Sequence, residues 1–241
     1  RSRLTGQSIP ELRVRGAGRT DKGVHATGQV VAFDYYYCCE KKQKDDNYFE
    51  CVLEDANLSE KAIARAINSF LPDDIVVRLG SVVPRSLYPF EARQNIVLKR
   101  YIYLLHFLPS SLTGNFNYVG GRHSFRRVFG PECWDCPWTL NLDTMQQTCR
   151  QLQGSHDFSR FVDKRERCRT DNVIELIKFE AELIKDNGIG AITDDREASN
   201  TCAQREMMVR FTVEALGFKR GMVRYLVGYV VDTARGEIPT K

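Results

Sequence analysis

An α+β fold, with a largely antiparallel sheet backed by helices, is predicted by three observations. Helix-strand-strand patterns occur in both halves of the chain, period-two apolar alternation runs through the longest β-rich segments, and a stretch of small, polar, turn-forming residues at Pro109 to Asn117 separates the halves. The division is therefore residues 1–108 and 109–241, with no repeat visible at the level of residue identity.

The opening stretch GAGRTDKGVHATGQV places Asp21 between Arg19 and Lys22 on a glycine-rich loop. The loop leads into VHATGQVVAFDYYY, whose β-branched and aromatic residues read as a strand. Cys38 to Asn57 is polar and charged without an apolar period, and reads as a surface excursion. LSEKAIARAINSFLPDD reads as a helix, with Ser59 as N-cap, a Leu58–Ile63 staple, one face of Ala62, Ile63, Ala66, Ile67 and Phe70, and Pro72 as its stop. A strand over Ile75 to Val83 follows.

FEARQNIVLKRYIYLLHFL then puts Val97, Lys99, Tyr101, Tyr103 and Leu105 on one face of a strand and Ile96, Leu98, Arg100, Ile102 and Leu104 on the other. In the second half LDTMQQTCRQLQG predicts a helix with Met145, Cys149 and Leu152 on its apolar side and Gly154 at its end. VIELIKFEAELI and MMVRFTVEAL predict an antiparallel pair joined by the long polar loop Lys185 to Arg205. GFKRGMVRYLVGYVVDTA predicts a helix with a core stripe of Met222, Val223, Leu226, Val227, Val230 and Val231; Arg220 and Arg224, four apart, point toward one side.

A net charge of +4 excludes a collective polycation mechanism, so an anion site must arise from local clusters. Five stand out: Arg13, Arg15, Arg19 and Lys22; Lys99 and Arg100; Arg126 and Arg127; Lys164, Arg165, Arg167 and Arg169; Lys219, Arg220 and Arg224. No apolar run approaches the ~20 residues of a membrane span and no secretion signal opens the chain, so the expectation is an intracellular, cytoplasmic protein, with nucleus or organelle as alternatives. The eight cysteines are irregularly spaced and read as reduced. Cys133-Trp-Asp-Cys136 lacks a second pair at zinc spacing and reads as a structural turn; His123 and Cys149 would complete a tetrad only by coincidence, and no metal is assigned.

GRTDKGVHA (Gly18 to Ala26), LPDDI (Leu71 to Ile75), KRYIY (Lys99 to Tyr103), GSHDFSRF (Gly154 to Phe161) and GMVRYLVG (Gly221 to Gly228) together resemble, in order, the motifs of the TruA family of tRNA pseudouridine synthases. The resemblance spans nearly the whole chain. It implies the pseudouridine-synthase fold: two similar halves around a central RNA-binding cleft, in a homodimer. It further implies conversion of uridine to pseudouridine on the 3′ side of the tRNA anticodon stem-loop. Asp21 takes the role of catalytic carboxylate, Arg224 of its pairing cation and Tyr101 of the ring against which the base stacks. Arg19 would support the displaced nucleotide, and Lys22, Lys99, Arg100, Lys219 and Arg220 are the remaining RNA-binding candidates. No cofactor is expected, since the isomerisation involves neither redox change nor hydrolysis and no Walker or GxGxxG loop occurs.

A carboxylate shut away under RNA would be driven toward protonation, so a neighbouring cation is required to keep it ionised; loss of Arg224 from a buried pair would cost about 3–5 kcal/mol. His25 is disfavoured as a base because it suits packing or hydrogen bonding within its loop. His156 and Asp157 are adjacent on a strand and point to opposite faces, which disfavours a dyad. The family often carries histidine where Gly221 stands, and a strand and helix before the catalytic motif, where Arg1 to Arg15 alone precede it here; the expectation is an incomplete domain. The alternatives are the same chemistry at other tRNA or RNA positions, or a non-catalytic RNA-binding member of the fold.

Overall fold

The computed structural model describes residues 8–34, 60–87, 89–109, 133–168, 171–184 and 207–238. Two compact units are present, one comprising Arg1–Lys22 and Ala26–Ile96, the other Gly23–His25 and Val97–Lys241. The strand bearing Tyr101 groups with the second unit.

In the first unit α1 (Ile9–Leu12) starts from a capping box. Ser8 Oγ accepts from Glu11 N and the Glu11 carboxylate accepts from Ser8 N. β1 (Arg15–Gly16) and β2 (Val31–Ala32) form a two-residue antiparallel ladder. Among the described residues the strand expected from Val24 onward is paired only at Val31–Ala32, and Gln29 folds back on the loop, its side chain donating to Gly18 O at 2.8 Å. α2 (Glu60–Asn68) has the predicted face half-buried at Ala62, Ile63, Ala66 and Ile67, while Phe70 is exposed. Its Ser59 cap, Leu58 staple and the Cys38 to Asn57 excursion lie outside the described residues.

No strand forms over Ile75 to Val83. The segment is held instead by Asn68, whose side chain donates to Val77 O at 2.9 Å and accepts from Val77 N at 2.7 Å. β-branched sequence becomes a strand only within a ladder, and no ladder forms over this segment among the described residues.

The second unit is built on a four-stranded sheet: β3 (Lys99–Pro109), β4 (Cys133–Leu140), β7 (Lys178–Ile184) and β8 (Met207–Ala215), in the order β4-β3-β8-β7. β3/β8 and β7/β8 are antiparallel, but β4 runs parallel to β3, so the sheet is mixed rather than uniformly antiparallel. β4 also corrects the reading of Cys133–Cys136 as a turn. Pro137 sits in this edge strand opposite the register shift between His106 and Leu108, the two settings in which a sheet tolerates proline.

α3 (Leu142–Leu152) is capped by Asn141, whose side chain accepts from Thr144 N at 2.9 Å. β5 (Gly154–Asp157) and β6 (Val173–Leu176) make a separate antiparallel pair. The expected continuous strand Val173 to Ile184 is therefore broken at Ile177, and buried Leu176 and Phe179 lie three residues apart, a slip in the alternation that lets the two pieces join different sheets.

α4 (Met222–Ala234) buries Met222, Leu226, Val227, Val230 and Val231 as predicted. Arg220 lies before it, in the turn ahead of the left-handed Gly221 (φ 73°), so helical spacing does not relate Arg220 to Arg224. One sheet face contributes Leu105, Phe107, Phe179, Phe211 and Val213 to a core completed by Met145 and Cys149 of α3 and the α4 stripe. Each such side chain contributes roughly 1.5–3 kcal/mol by leaving water, which makes this face the rigid floor on which Tyr103 and Tyr101 stand.

Candidate active site

The aspartate loop rises from the β1–β2 ladder. Below it the neck is closed by Ala17 N donating to Val30 O at 2.9 Å and by the Gln29 bond to Gly18. Two residues past Asp21 the chain turns at Gly23, whose φ of 78° is a conformation that side-chain-bearing residues rarely adopt. Arg19, Asp21, Lys22 and His25 are all exposed. A charged clasp fixes the base of the loop: Arg15 forks onto Asp34 at 2.8 and 3.2 Å, its Nε lies 3.4 Å from Glu91, and Arg13 approaches the same two carboxylates at 3.4 and 3.6 Å. The Arg15 hydrogen bonds hold the Asp34 carboxyl below its ordinary pKa, opposed by its burial and helped by the charges of Arg15 and Arg13.

In the second unit, β3 presents Lys99, Tyr101 and Tyr103 on one face. Tyr101 is 37% exposed and meets the edge of Phe218 at 5.2 Å. Tyr103 is half-buried with its ring edge-to-face on Trp134 at 6.3 Å. Burial raises the Tyr103 phenol pKa, and the Arg224 cation in its vicinity acts in the opposite sense. Arg224 is itself exposed on the first turn of α4. The cost of about 3–5 kcal/mol expected for losing Arg224 from a buried pair therefore applies only once the pair is covered.

Lys219 is half-buried and its carbonyl accepts from Met222 N at 3.1 Å, while Arg220 is exposed. Arg100 stands on the opposite sheet face, where Glu214 engages it at 2.5 Å. A Cβ added at Gly221 would lie 3.3 Å from the Tyr225 ring as well as in left-handed backbone, so glycine suits this site and a larger residue would have to displace that ring.

The second unit thus gathers Tyr101, Tyr103, Phe218 and Arg224, whereas Arg19, Asp21 and Lys22 belong to the first. Phe218 and Trp134 were missed from sequence. Phe218 lies ahead of the core stripe of its helix and beside basic residues, and Trp134 lies between two thiols, so neither ring stands out by period. The pair His156/Asp157 separates as expected: His156 Nε2 lies 3.0 Å from Gln153 O, while Asp157 accepts from the Ser159 hydroxyl and backbone N. Cys133, Cys136 and Cys149 are buried free thiols, and no cluster fit for a metal ion occurs among the described residues.

A family model described as tRNA pseudouridine synthase matches residues 148–241, which include Arg224. The chain is 30% identical over 227 residues to the tRNA pseudouridine synthase A of Thermosipho melanesiensis, covering 92% of this chain and 68% of that protein. It belongs to that family.

Other members align over a similar extent. The tRNA pseudouridine synthase A of Anoxybacillus flavithermus is 27% identical, over 94% of this chain and 68% of its own length; that of Geobacter sulfurreducens is 28% identical, over 94% and 69%. These alignments span more than nine-tenths of the chain, whereas the family model covers the segment from mid-α3 onward. As a pseudouridine synthase the chain is an isomerase. No helix among the described residues is long and apolar enough to cross a membrane.

Proposed function

We propose that this pseudouridine synthase isomerises uridines on the 3′ side of the tRNA anticodon stem-loop, with Asp21 as the catalytic carboxylate. The observation that carries the reading is the unbroken Gly18–Ala26 motif, on an exposed loop closed at its neck and clasped at its base. The reaction breaks the bond between the ribose carbon and the ring nitrogen, and after rotation joins the same ribose carbon to a ring carbon, which gives up its proton. Asp21 either attacks the nucleotide directly or removes a ribose proton to begin an elimination.

A stem uridine must first be extruded, at a cost of a few kcal/mol, and held while it turns. Tyr101 supplies an aromatic ring against which the extruded base stacks, worth about 1–3 kcal/mol. Arg224 supplies the cation that keeps Asp21 ionised once RNA excludes water. Arg19, Lys22, Lys99, Lys219 and Arg220 engage the phosphates; Arg100, already held by Glu214 on the far face of β3, is the weakest of these candidates. The halves 1–108 and 109–241 carry the aspartate loop and the arginine helix respectively, and the enzyme acts inside the cell as a homodimer.

Carbodiimide primer extension on unmodified tRNA transcripts tests this, comparing the wild-type chain with Asp21→Asn while RNA binding is followed in parallel. Stops in the anticodon stem-loop that vanish in the variant, with binding retained, are the expected result. Asp21-dependent stops elsewhere would move the target. Binding without any modification by the wild-type chain would reject catalysis.

A further inference from the structure

Asp21 lies three residues past Gly18, where the Gln29 side chain closes the neck of its loop. At the reach of an extended chain that is about 10 Å at most, so Asp21 goes where the stem of the loop points. The stem is held by a single guanidinium with every nitrogen engaged. Arg15 Nη1 donates to Arg13 O at 2.8 Å and to Asp34 Oδ2 at 3.2 Å; Nη2 donates to Asp34 Oδ1 at 2.8 Å and to Phe90 O at 3.4 Å; Nε lies 3.4 Å from the Glu91 carboxylate.

These contacts bridge both stems of the loop, since Arg15 opens β1 and Asp34 lies two residues past β2. The partners are themselves tied down. Asp34 N donates to Leu12 O at 2.7 Å, Glu91 N donates to the Asn95 side chain at 2.9 Å, and Glu91 O accepts from Gln94 N and Asn95 N at 2.9 Å. The Arg15 and Asp34 side chains are only 18% and 13% exposed, so water screens the fork little. Neutralising charge would not require this arrangement, because an ammonium could do it; a planar fork spanning two carboxylates and two carbonyls fixes a direction as well.

We propose that Arg15, aimed by Asp34 and Glu91, is a positioning residue for Asp21: it sets the angle at which the loop presents its carboxylate to the nucleotide. The inference rests on Asp21 being the catalytic carboxylate. Arg15 acts on the chemical step and leaves tRNA affinity alone, because a carboxylate displaced by about 1 Å forfeits up to ~100-fold in rate while the groups that hold the nucleic acid stay in place.

The test is the single-turnover rate of pseudouridine formation at saturating tRNA, with tRNA binding measured alongside, for the wild-type chain, R15Q, D34N, R15Q/D34N, R15K and E91Q. R15Q and D34N should each slow the step by roughly 10- to 100-fold with affinity kept. The double variant should be no slower than the worse single one, because the two residues act as a unit. R15K should recover only a small part of the loss, and E91Q, which spares the Asp34 fork, should lose less. R210Q, which removes the exposed pair with Glu182 in the second unit, should keep the wild-type rate. An unchanged rate in R15Q and D34N, losses that multiply in the double variant, a loss of affinity in place of rate, or full recovery in R15K overturns the proposal.

Amide exchange reads the loop without turnover. It should rise across Ala17–Val30 in R15Q while the Met207–Ala215 strand stays protected, and a loop as protected in R15Q as in the wild type also overturns the proposal. If R15Q loses protection in both units, D34N, which only exchanges a carboxylate for an amide of the same shape, carries the same comparison. If the loop is freed but the wild-type chain modifies no uridine, the hold of Arg15 on the loop stands and the catalytic reading fails.

Discussion

The region that carries Asp21 and the region that carries Tyr101 and Arg224 are held together by different forces. In the first unit Ala92 is the one buried hydrophobic residue among those described; its strands are two residues long, and its fixed points are the Arg13/Arg15/Asp34/Glu91 clasp and the Asn68 lock on Val77. The second unit rests on a continuous apolar core in which Phe107, Phe179, Phe211 and Leu226 are fully buried. The difference teaches that the carboxylate loop depends on charge and geometry at its base, whereas the aromatic and cationic partners depend on packing beneath them.

The largest expected effect breaks the packed side. Phe211→Ala should cost about 3–5 kcal/mol, because it removes a ring fully enclosed between strands and helices. Chemical denaturation followed by β-sheet circular dichroism would read this, and a cost below about 1 kcal/mol would show that the core is not the support claimed for it.

Thiol labelling sharpens the same contrast inside the second unit. Burial pushes the Cys149 thiol up to about 12, while Cys168 is exposed at the end of the basic turn. At neutral pH iodoacetamide should modify Cys168 on the order of 10³-fold faster than Cys149 in the native protein, and mass mapping of the alkylated peptides would check it.

The smallest effect falls on the charged clasp. Arg15→Ala should cost about 1–3 kcal/mol, from charge-assisted hydrogen bonds to a largely buried carboxylate, and should increase proteolysis within Gly18–Gln29 before the second unit is cut. The pH dependence follows from Asp34. Its folded pKa is depressed, so the clasp contributes fully above the ordinary carboxylate pKa near about 4, and its contribution is lost as pH falls through the folded value. Acid should therefore loosen the aspartate loop while Phe211 remains protected from hydrogen exchange, and Asp34→Asn should abolish that acid step.

Much of the second unit was legible before any coordinates. The β3 alternation, the α3 and α4 stripes and the β7–β8 pairing each follow from a periodicity that one buried face imposes. The site motifs were legible as residue types in order, with Asp21 on a loop and Tyr101 on a strand face. Strand identity failed where it depended on a neighbour. Cys133 to Cys136 reads as a structural turn, yet it opens a strand that pairs with β3; Ile75 to Val83 reads as a strand, yet no ladder forms over it among the described residues. Arg220 looked helical by spacing until Gly221 adopted a left-handed conformation.

Composition and local pattern thus determined the α+β class, the helices, the long alternating strands and the chemical character of the loop at Asp21, because these depend on each segment's own periodicity and residue chemistry. Only the tertiary structure decided that β4 runs parallel, that Arg100 is held by Glu214 away from Tyr101, that Phe218 is the ring beside Tyr101, and that the Arg160–Cys168 turn is seated on the helix of Arg224. Those facts are set by pairings between residues distant in the chain. Such pairings leave no period in either partner's sequence, because each segment meets the other only after the chain has folded.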